Sequence, residues 1–366
     1  MNAGGVKRSF KYRFRPSTEQ AEQLDRTFGC VRLVYNKALE ERTRVYATES
    51  RSMTYVQSSA ALTAWKKTDE LGFLNEVSCV PLRHLQSAYM AFYAKRSRLP
   101  TFKSKRKSRA SAEYTRSGFT YRDGRITLAK QTAPLDIVWS RPLPDGVEPT
   151  SVTVSRDAAG RWHVSILVTD PTVRPLPAVD RVVGVDAGIA TFATLSTGKK
   201  IANPRHERAD RRELAKAQRA LARKDRGANN RAKARLKVAR VHARIADRRR
   251  DHLHKLSTQL VRENQTVVIE DLSVRTMVKN HRLARAISDA AWSEFRSMLE
   301  HKAGWYGRTV VVVDRWFLSS KLCSDCGMRV ESLPLEVREW TCRCGAVHDR
   351  DVNAARNILA AGLAER

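Results

Sequence analysis

From Val6 to Arg15 the chain alternates, with Phe10, Tyr12 and Phe14 on one face and Lys11, Arg13 and Arg15 on the other. That period of two predicts a half-buried strand with a basic outer face. Pro16 ends the run, and Ser17 followed three residues later by Gln20 supplies a capping box for a helix. Leu24, Phe28, Val31, Val34, Tyr35, Ala38 and Leu39 continue it at helical spacing. Two further helices are expected over 55–67 and 82–94, the second carrying Leu85, Tyr89 and Phe92 on one stripe, read as core rather than as base-stacking residues. After Pro100 the rhythm turns to hairpins: Phe119 to Tyr121 and Ile126 to Leu128 flank Asp123-Gly124, and Val152 to Val154 and Trp162 to Val168 flank Asp157 to Gly160. Residues 100–170 therefore read as a small β domain that the N-terminal strand can complete, and the proline-bearing 170–180 as a linker.

The second half changes pattern again. Arg181 to Ala187 is an apolar strand ending on Asp186, and FATLSTGKKIAN gives two short strands turning at Thr197-Gly198. A helical region from Arg205 to about Arg262 bends at Gly227 to Asn230, with Leu214, Leu221, Leu236, Ile245, Leu253 and Leu256 as its packing stripe. Thr266 to Glu270 is a strand ending on a carboxylate, Ser288 to Gly304 a helix with Trp292, Phe295 and Leu299 inward, and Arg308 to Asp314 a further buried strand. Three strands joined by short turns, then strands alternating with helices, describe an RNase H-like mixed sheet in which the first and fourth strands are neighbours. The expected fold class is thus multidomain α+β.

Charge narrows the partner. The 366 residues hold 68 Lys+Arg against 38 Asp+Glu, a net charge of +30. So positive a surface repels itself unless a polyanion covers it, which makes nucleic acid the default partner over a membrane surface or a ribosome-like structural role. The basic helical region concentrates the excess, with 19 Lys+Arg against 6 Asp+Glu between Arg205 and Lys255, and TFKSKRKSR sets Phe102 among Lys103, Lys105, Arg106 and Lys107 as a phosphate-gripping loop. No run of about 18 apolar residues and no signal-peptide core is present, so a cytoplasmic protein without membrane contact is expected.

Two groups of residues carry chemistry. Asp186 and Glu270 end strands expected to lie side by side, and Asp351 opens the helical run DVNAARNI. Three carboxylates brought together repel one another unless cations neutralise them, and two Mg2+ or Mn2+ ions about 3.5 to 4 Å apart would do so while clamping a phosphodiester. Glu270 is preferred to Asp271 because it directly ends the apolar run. The second group is Cys323-x-x-Cys326 with Cys342-x-Cys344, four thiolates in two knuckles, each followed by a glycine (Gly327, Gly345). In a reducing compartment this reads as a structural Zn2+ site, with His348 as a possible substitute ligand because the second pair is one residue short. Cys30 and Cys79 are isolated and read as small buried residues.

GVDAG around Asp186, VVIEDL around Glu270, FLSSKLCSDCG, WTCRCGAVHDRDVNAARNI and the N-terminal FKYRFRPSTEQ together resemble the TnpB (OrfB) family of insertion-sequence-associated proteins over essentially the whole chain. The resemblance implies an RNA-guided endonuclease that cuts double-stranded DNA beside a short transposon-adjacent motif, guided by a noncoding RNA from the transposon end. It implies a RuvC-like nuclease domain over 181–320 and 347–366 with Asp186, Glu270 and Asp351 as acidic triad. A zinc-ribbon, target-nucleic-acid-binding insertion would span 321–346. A β-barrel-like wedge domain would be built from 1–20 with 100–175, and a helical recognition domain from 21–99. The alternatives are a cleavage-incompetent RNA-guided DNA-binding regulator and a guide-independent transposase. The intact triad speaks against the first. Oligomeric state is not legible at this level.

Overall fold

The alternating N-terminal run is a strand, β1 (Val6–Arg15), and it buries Phe10, Tyr12 and Phe14 while its Lys and Arg positions face outward. In the computed structural model, which describes residues 5–76, 81–334 and 336–364, the chain divides at Thr172/Val173 into two units.

In the first unit α1 (Thr18–Glu49) follows β1, opened by the expected capping box: the Ser17 hydroxyl accepts from the Gln20 backbone N–H and the Gln20 side chain accepts from that of Ser17, both at 3.2 Å. α2 (Tyr55–Trp65) and α3 (Pro81–Tyr93) come next, then β2 (Ala110–Thr115), β3 (Phe119–Arg122), β4 (Arg125–Leu128), β5 (Asp136–Val138), β6 (Pro149–Arg156) and β7 (Trp162–Asp170). The sheet order is β2-β6-β7-β1-β5, all antiparallel, with β3 and β4 as a separate hairpin. The β3–β4 hairpin follows β2 directly and reaches the segment entering β5, where Ile126 O accepts from Leu135 N–H (2.8 Å), and Phe119, Ile126 and Leu128 share one core with the sheet and with Leu24, Phe28 and Val31 of α1. The same helix then carries Val34, Tyr35, Ala38 and Leu39 into a second core with Leu82, Leu85 and Tyr89 of α3. A division at residue 20 thus falls at the start of a helix that serves both cores. Cys30 is half-buried, and Cys79 lies outside the described residues.

The second unit contains β8 (Val182–Ala187), β9 (Thr191–Leu195), β10 (Lys200–Ala202), α4 (His206–Ala222), α5 (Asn229–Glu263), β11 (Thr266–Glu270), α6 (Val274–Met277), α7 (Ala284–Ala290), α8 (Trp292–Tyr306), β12 (Thr309–Val313), β13 (Glu339–Thr341), β14 (Val347–Asp349) and α9 (Arg350–Ala364). Its main sheet runs β10-β9-β8-β11-β12, with β8, β11 and β12 parallel and the other pairs antiparallel. The first and fourth strands are therefore neighbours. One face packs on α5 and α8 through Leu253, Leu260, Phe295 and Leu299, and the other on α9. One helix boundary differs from the sequence reading. Ser288 lies in α7, and the helical path breaks at Ala291, which adopts a left-handed φ of 54° before α8 begins at Trp292. Ala290 and Ala291 favour helix by propensity, and the break falls between the buried side chains of Ile287 and Trp292. Distal α4 and α5 hold together on a small cluster of Leu214, Val241 and Ile245 and present their basic residues to solvent.

Candidate active site and metal centre

β8 and β11 are in register from Val182 opposite Thr266 to Val185 opposite Ile269, so Asp186 and Glu270 occupy the next positions of adjacent parallel strands. Side-chain alternation places both on the face of Gly184 and Val268, which α9 covers. That helix comes very close: a Cβ built on Gly184 would lie 2.2 Å from the Ala355 carbonyl oxygen, and one on Gly362 2.3 Å from Val268 Cγ1. Asp349 caps α9, its Oδ1 accepting from the backbone N–H groups of Asp351 (3.1 Å) and Val352 (3.0 Å) while Oδ2 accepts from Lys200 Nζ (2.6 Å). Asp351 is thereby fixed in the first turn, against the same sheet face.

The electrostatics record the convergence. Burial, then the neighbouring charges of Glu270 and Asp351, push the Asp186 carboxyl up to about 8, with Arg350 opposing. Burial also raises Glu270, against a 2.8 Å hydrogen bond donated by the Ser319 hydroxyl. A carboxyl held so far above its ordinary range by burial and by other carboxylates is a site that favours cations, and the all-oxygen donor set suits Mg2+ or Mn2+. Asp271 differs. It accepts from Arg296 (2.6 Å) and from Arg315, and those guanidiniums hold it below the usual carboxylate range. The acidic group turned toward Asp186 is Glu270, while Asp271 is neutralised on the rim.

Below this edge the four cysteines meet. Each knuckle is a tight turn closed by its own backbone, Gly327 N–H to Cys323 O and Gly345 N–H to Cys342 O (2.9 Å each), with φ of 73° and 91° at the two glycines. All four Sγ atoms lie within 4.8 Å of one another, and Cys323–Cys344 and Cys326–Cys342 are each 3.7 Å apart. A tetrahedral Zn2+ with bonds of about 2.3 Å needs sulfur separations of about 3.8 Å, so the donor set fits that ion. The four cysteines form the cluster by themselves, and His348 Nε2 lies 3.0 Å from Cys323 Sγ, within hydrogen-bonding distance of the sulfur. Burial raises the Cys323 thiol, but the backbone amides of Cys326 and Asp325 and the His348 ring outweigh it and bring it down to about 6.

Two asparagines, unremarked in the sequence reading, join the two sites. Asn353 accepts from Ser324 N–H (2.8 Å) and donates to Leu322 O (2.7 Å), and Asn357 donates to Ser319 O and Leu322 O (2.7 Å each). Both are buried on α9, four residues apart on one face. Their i, i+4 spacing in an otherwise alanine-rich helix was the signal available. Gly184 and Gly362 were also missed.

The basic loop of the first unit is divided. Phe102, Lys105, Arg106 and Lys107 are exposed, and Lys103 is half-buried. Its ammonium lies 3.8 Å from the centroid of the Tyr35 ring, its backbone exchanges hydrogen bonds with Asn36, and burial lowers its pKa.

Fold and site together define an α+β protein with a carboxylate cluster on the edge of a mixed sheet and a four-cysteine centre beside it. A "Probable transposase" model of the OrfB type matches residues 163–281, a "Cas12f1-like, TNB domain" model 292–358, and a "Helix-turn-helix domain" model of the same OrfB group 1–51, of which the described part is a strand and one continuous helix. The chain is 70% identical over 363 residues to a "Putative RNA-guided DNA endonuclease" of Streptomyces pristinaespiralis, covering 98% of this chain and 90% of that one. It is 32% identical to the Escherichia coli K12 protein InsQ, described in the same words, over 97% and 92% of the two chains. The chain belongs to the TnpB (OrfB) family. Among solved structures, a Cas12f1–sgRNA–target DNA complex superposes with a TM-score of 0.60 at 13% identity, covering 97% of this chain and 98% of that one, and the endonuclease CRISPR-Cas_phi3 with 0.51 at 9% identity, covering 99% and 93%. These share the fold. Among the described residues no helix is long and apolar enough to cross a membrane.

Proposed function

We propose that this protein is an RNA-guided endonuclease that cuts DNA beside a short transposon-adjacent motif, with Asp186, Glu270 and Asp351 as its one cleavage site. The observation that carries the reading is the carboxylate cluster at the ends of two adjacent parallel strands, with Asp186 pushed up to about 8 by burial and by its two acidic neighbours. Divalent ions held by these three residues would supply charge neutralisation and activation of water for phosphodiester hydrolysis. The chain's own part is to orient the ligands. Ser319 fixes the Glu270 rotamer, Asp349 fixes the start of α9, and Arg338, 3.5 Å from Asp351, adds positive charge where a phosphate would enter.

Sequence specificity would come from base pairing with a noncoding RNA from the transposon end, and the protein would hold the duplexes through phosphates. The exposed arginines and lysines of α4 and α5, with Lys105, Arg106 and Lys107, suit that role. On the same reading residues 1–20 with 100–175 act as the wedge, 21–99 as the recognition domain, and 321–346 as a zinc-bound target-nucleic-acid-binding insertion. The test is to purify the protein with its bound RNA, sequence that RNA, and offer matching double-stranded DNA with randomised flanks and Mg2+. Guide-matched cleavage next to one short flank is expected, and Asp186→Ala should retain RNA while losing cleavage. Cleavage that ignores the guide, or full cleavage by Asp186→Ala, would overturn the proposal.

A further inference from the structure

Trp316 is the most exposed large hydrophobic residue among those described, at 81%. A bulky indole left in water gains nothing for folding, and here it is held out by a short, well-tied loop rather than a frayed one. The Asp314 side chain accepts from the Trp316 backbone N–H (2.8 Å) and the Asp314 carbonyl from Phe317 N–H (3.1 Å). Phe317 turns inward against Val268, Val313 and Ile358. Arg315, the preceding residue, is bonded to Asp271, and Ser319, three residues on, donates to Glu270. Both ends of the loop are thus pinned to the strand end that carries the acidic cluster, and three residues span at most about 10 Å. Arg315 is tied to Asp271, which also accepts from Arg296, so the residue before the indole is held in place.

We infer that Trp316 is a stacking platform for one unpaired nucleobase of the strand whose phosphate lies at the acidic cluster. A flat, exposed aromatic face suits any base, so the partner that fits is single-stranded nucleic acid without sequence preference. That the strand is then cut rests on the function proposed above, whereas the stacking itself does not.

The experiment uses the full chain with its bound RNA, in EDTA and at about 0.3 M salt to suppress phosphate contacts elsewhere. Binding of labelled oligo-dT is measured by anisotropy for wild type, Trp316→Phe and Trp316→Ala, and repeated with an oligonucleotide of abasic sites. Truncation to alanine should weaken oligo-dT binding by about 5- to 150-fold, Phe should retain most of it, and on the abasic strand the three proteins should bind alike. Photocrosslinking of 5-iodo-dU oligonucleotides should map to residue 316. Equal affinity of Trp316→Ala and wild type for oligo-dT, or an equal loss on the abasic strand, overturns the assignment. In Mg2+, the alanine variant should raise KM for single-strand cutting with little change in kcat. If no protein cuts while the binding difference persists, the nuclease reading fails and the stacking site stands.

Discussion

Replacing Gly184 with alanine tests the geometry of the whole acidic edge. The added methyl would sit 2.2 Å from the Ala355 carbonyl oxygen, 2.8 Å from Leu359 Cβ and 2.9 Å from Leu359 N, where ordinary contact begins at 3.4 Å. Two of these three obstacles are helix backbone, so no rotamer change relieves the clash, and α9 must withdraw by about 1 Å. Overpacking of this kind costs about 1 to 3 kcal/mol, or a melting temperature lower by roughly 2 to 12 °C in a unit of this size. The withdrawal carries Asp351 with it, and misplacing a reacting group by about 1 Å can cost on the order of 100-fold in rate. Differential scanning calorimetry and guided cleavage kinetics would measure both effects in one preparation. Gly304→Ala is the control, because a methyl there meets nothing within 4 Å and should stabilise α8 by up to about 1 kcal/mol. If Gly184→Ala melts within a degree of wild type and cuts at the wild-type rate, α9 does not lie on β8 as described.

Three further outcomes are expected. Without divalent ions, Asp186 is protonated in the folded chain up to about pH 8 but ionised in the unfolded chain above about pH 4. The unfolded state therefore binds fewer protons in that window, stability falls as pH rises through it, and calorimetry in EDTA should show this slope flattened by Asp186→Asn and opposed by Mg2+. Glu270→Gln should abolish cleavage, whereas Asp271→Asn, which loses only ion pairs on the rim, should keep it within about tenfold, and equal loss in both variants would refute the distinction drawn between them. The protein should release one Zn2+ per chain to a chromogenic chelator. Cys342→Ser should lose the metal outright, and His348→Ala, removing a hydrogen-bond partner of Cys323 and a ring packed on Trp340, should weaken affinity by about 10- to 100-fold.

The parts of this protein that depend on near neighbours were legible in its sequence. The alternation of β1, the Ser17–Gln20 box, the strand-ending Asp186 and Glu270 and the glycines after Cys326 and Cys344 each express a local rule, and each occurs where the rule places it. What was not legible required knowing what lies opposite. Lys103 belongs to a basic run but is drawn onto Tyr35 of α1. The break at Ala291 sits in residues with no helix-breaking signature, between two buried side chains.

The sequence alone determined the kind of chemistry: acidic groups at strand ends, four thiolates in two glycine-terminated knuckles and a net charge of +30. Donor types and local turns are properties of single residues and short spacings, and these survive without a fold. The tertiary structure decided which groups lie near one another. The β8–β11 register sets Asp186 beside Glu270, the bare backbones of Gly184 and Gly362 let α9 bring Asp351 onto them, and Asn353 and Asn357 tie that helix to the first cysteine knuckle. Closeness of that kind comes from contacts between residues far apart in the chain, and only the packed sheet and helix supply it.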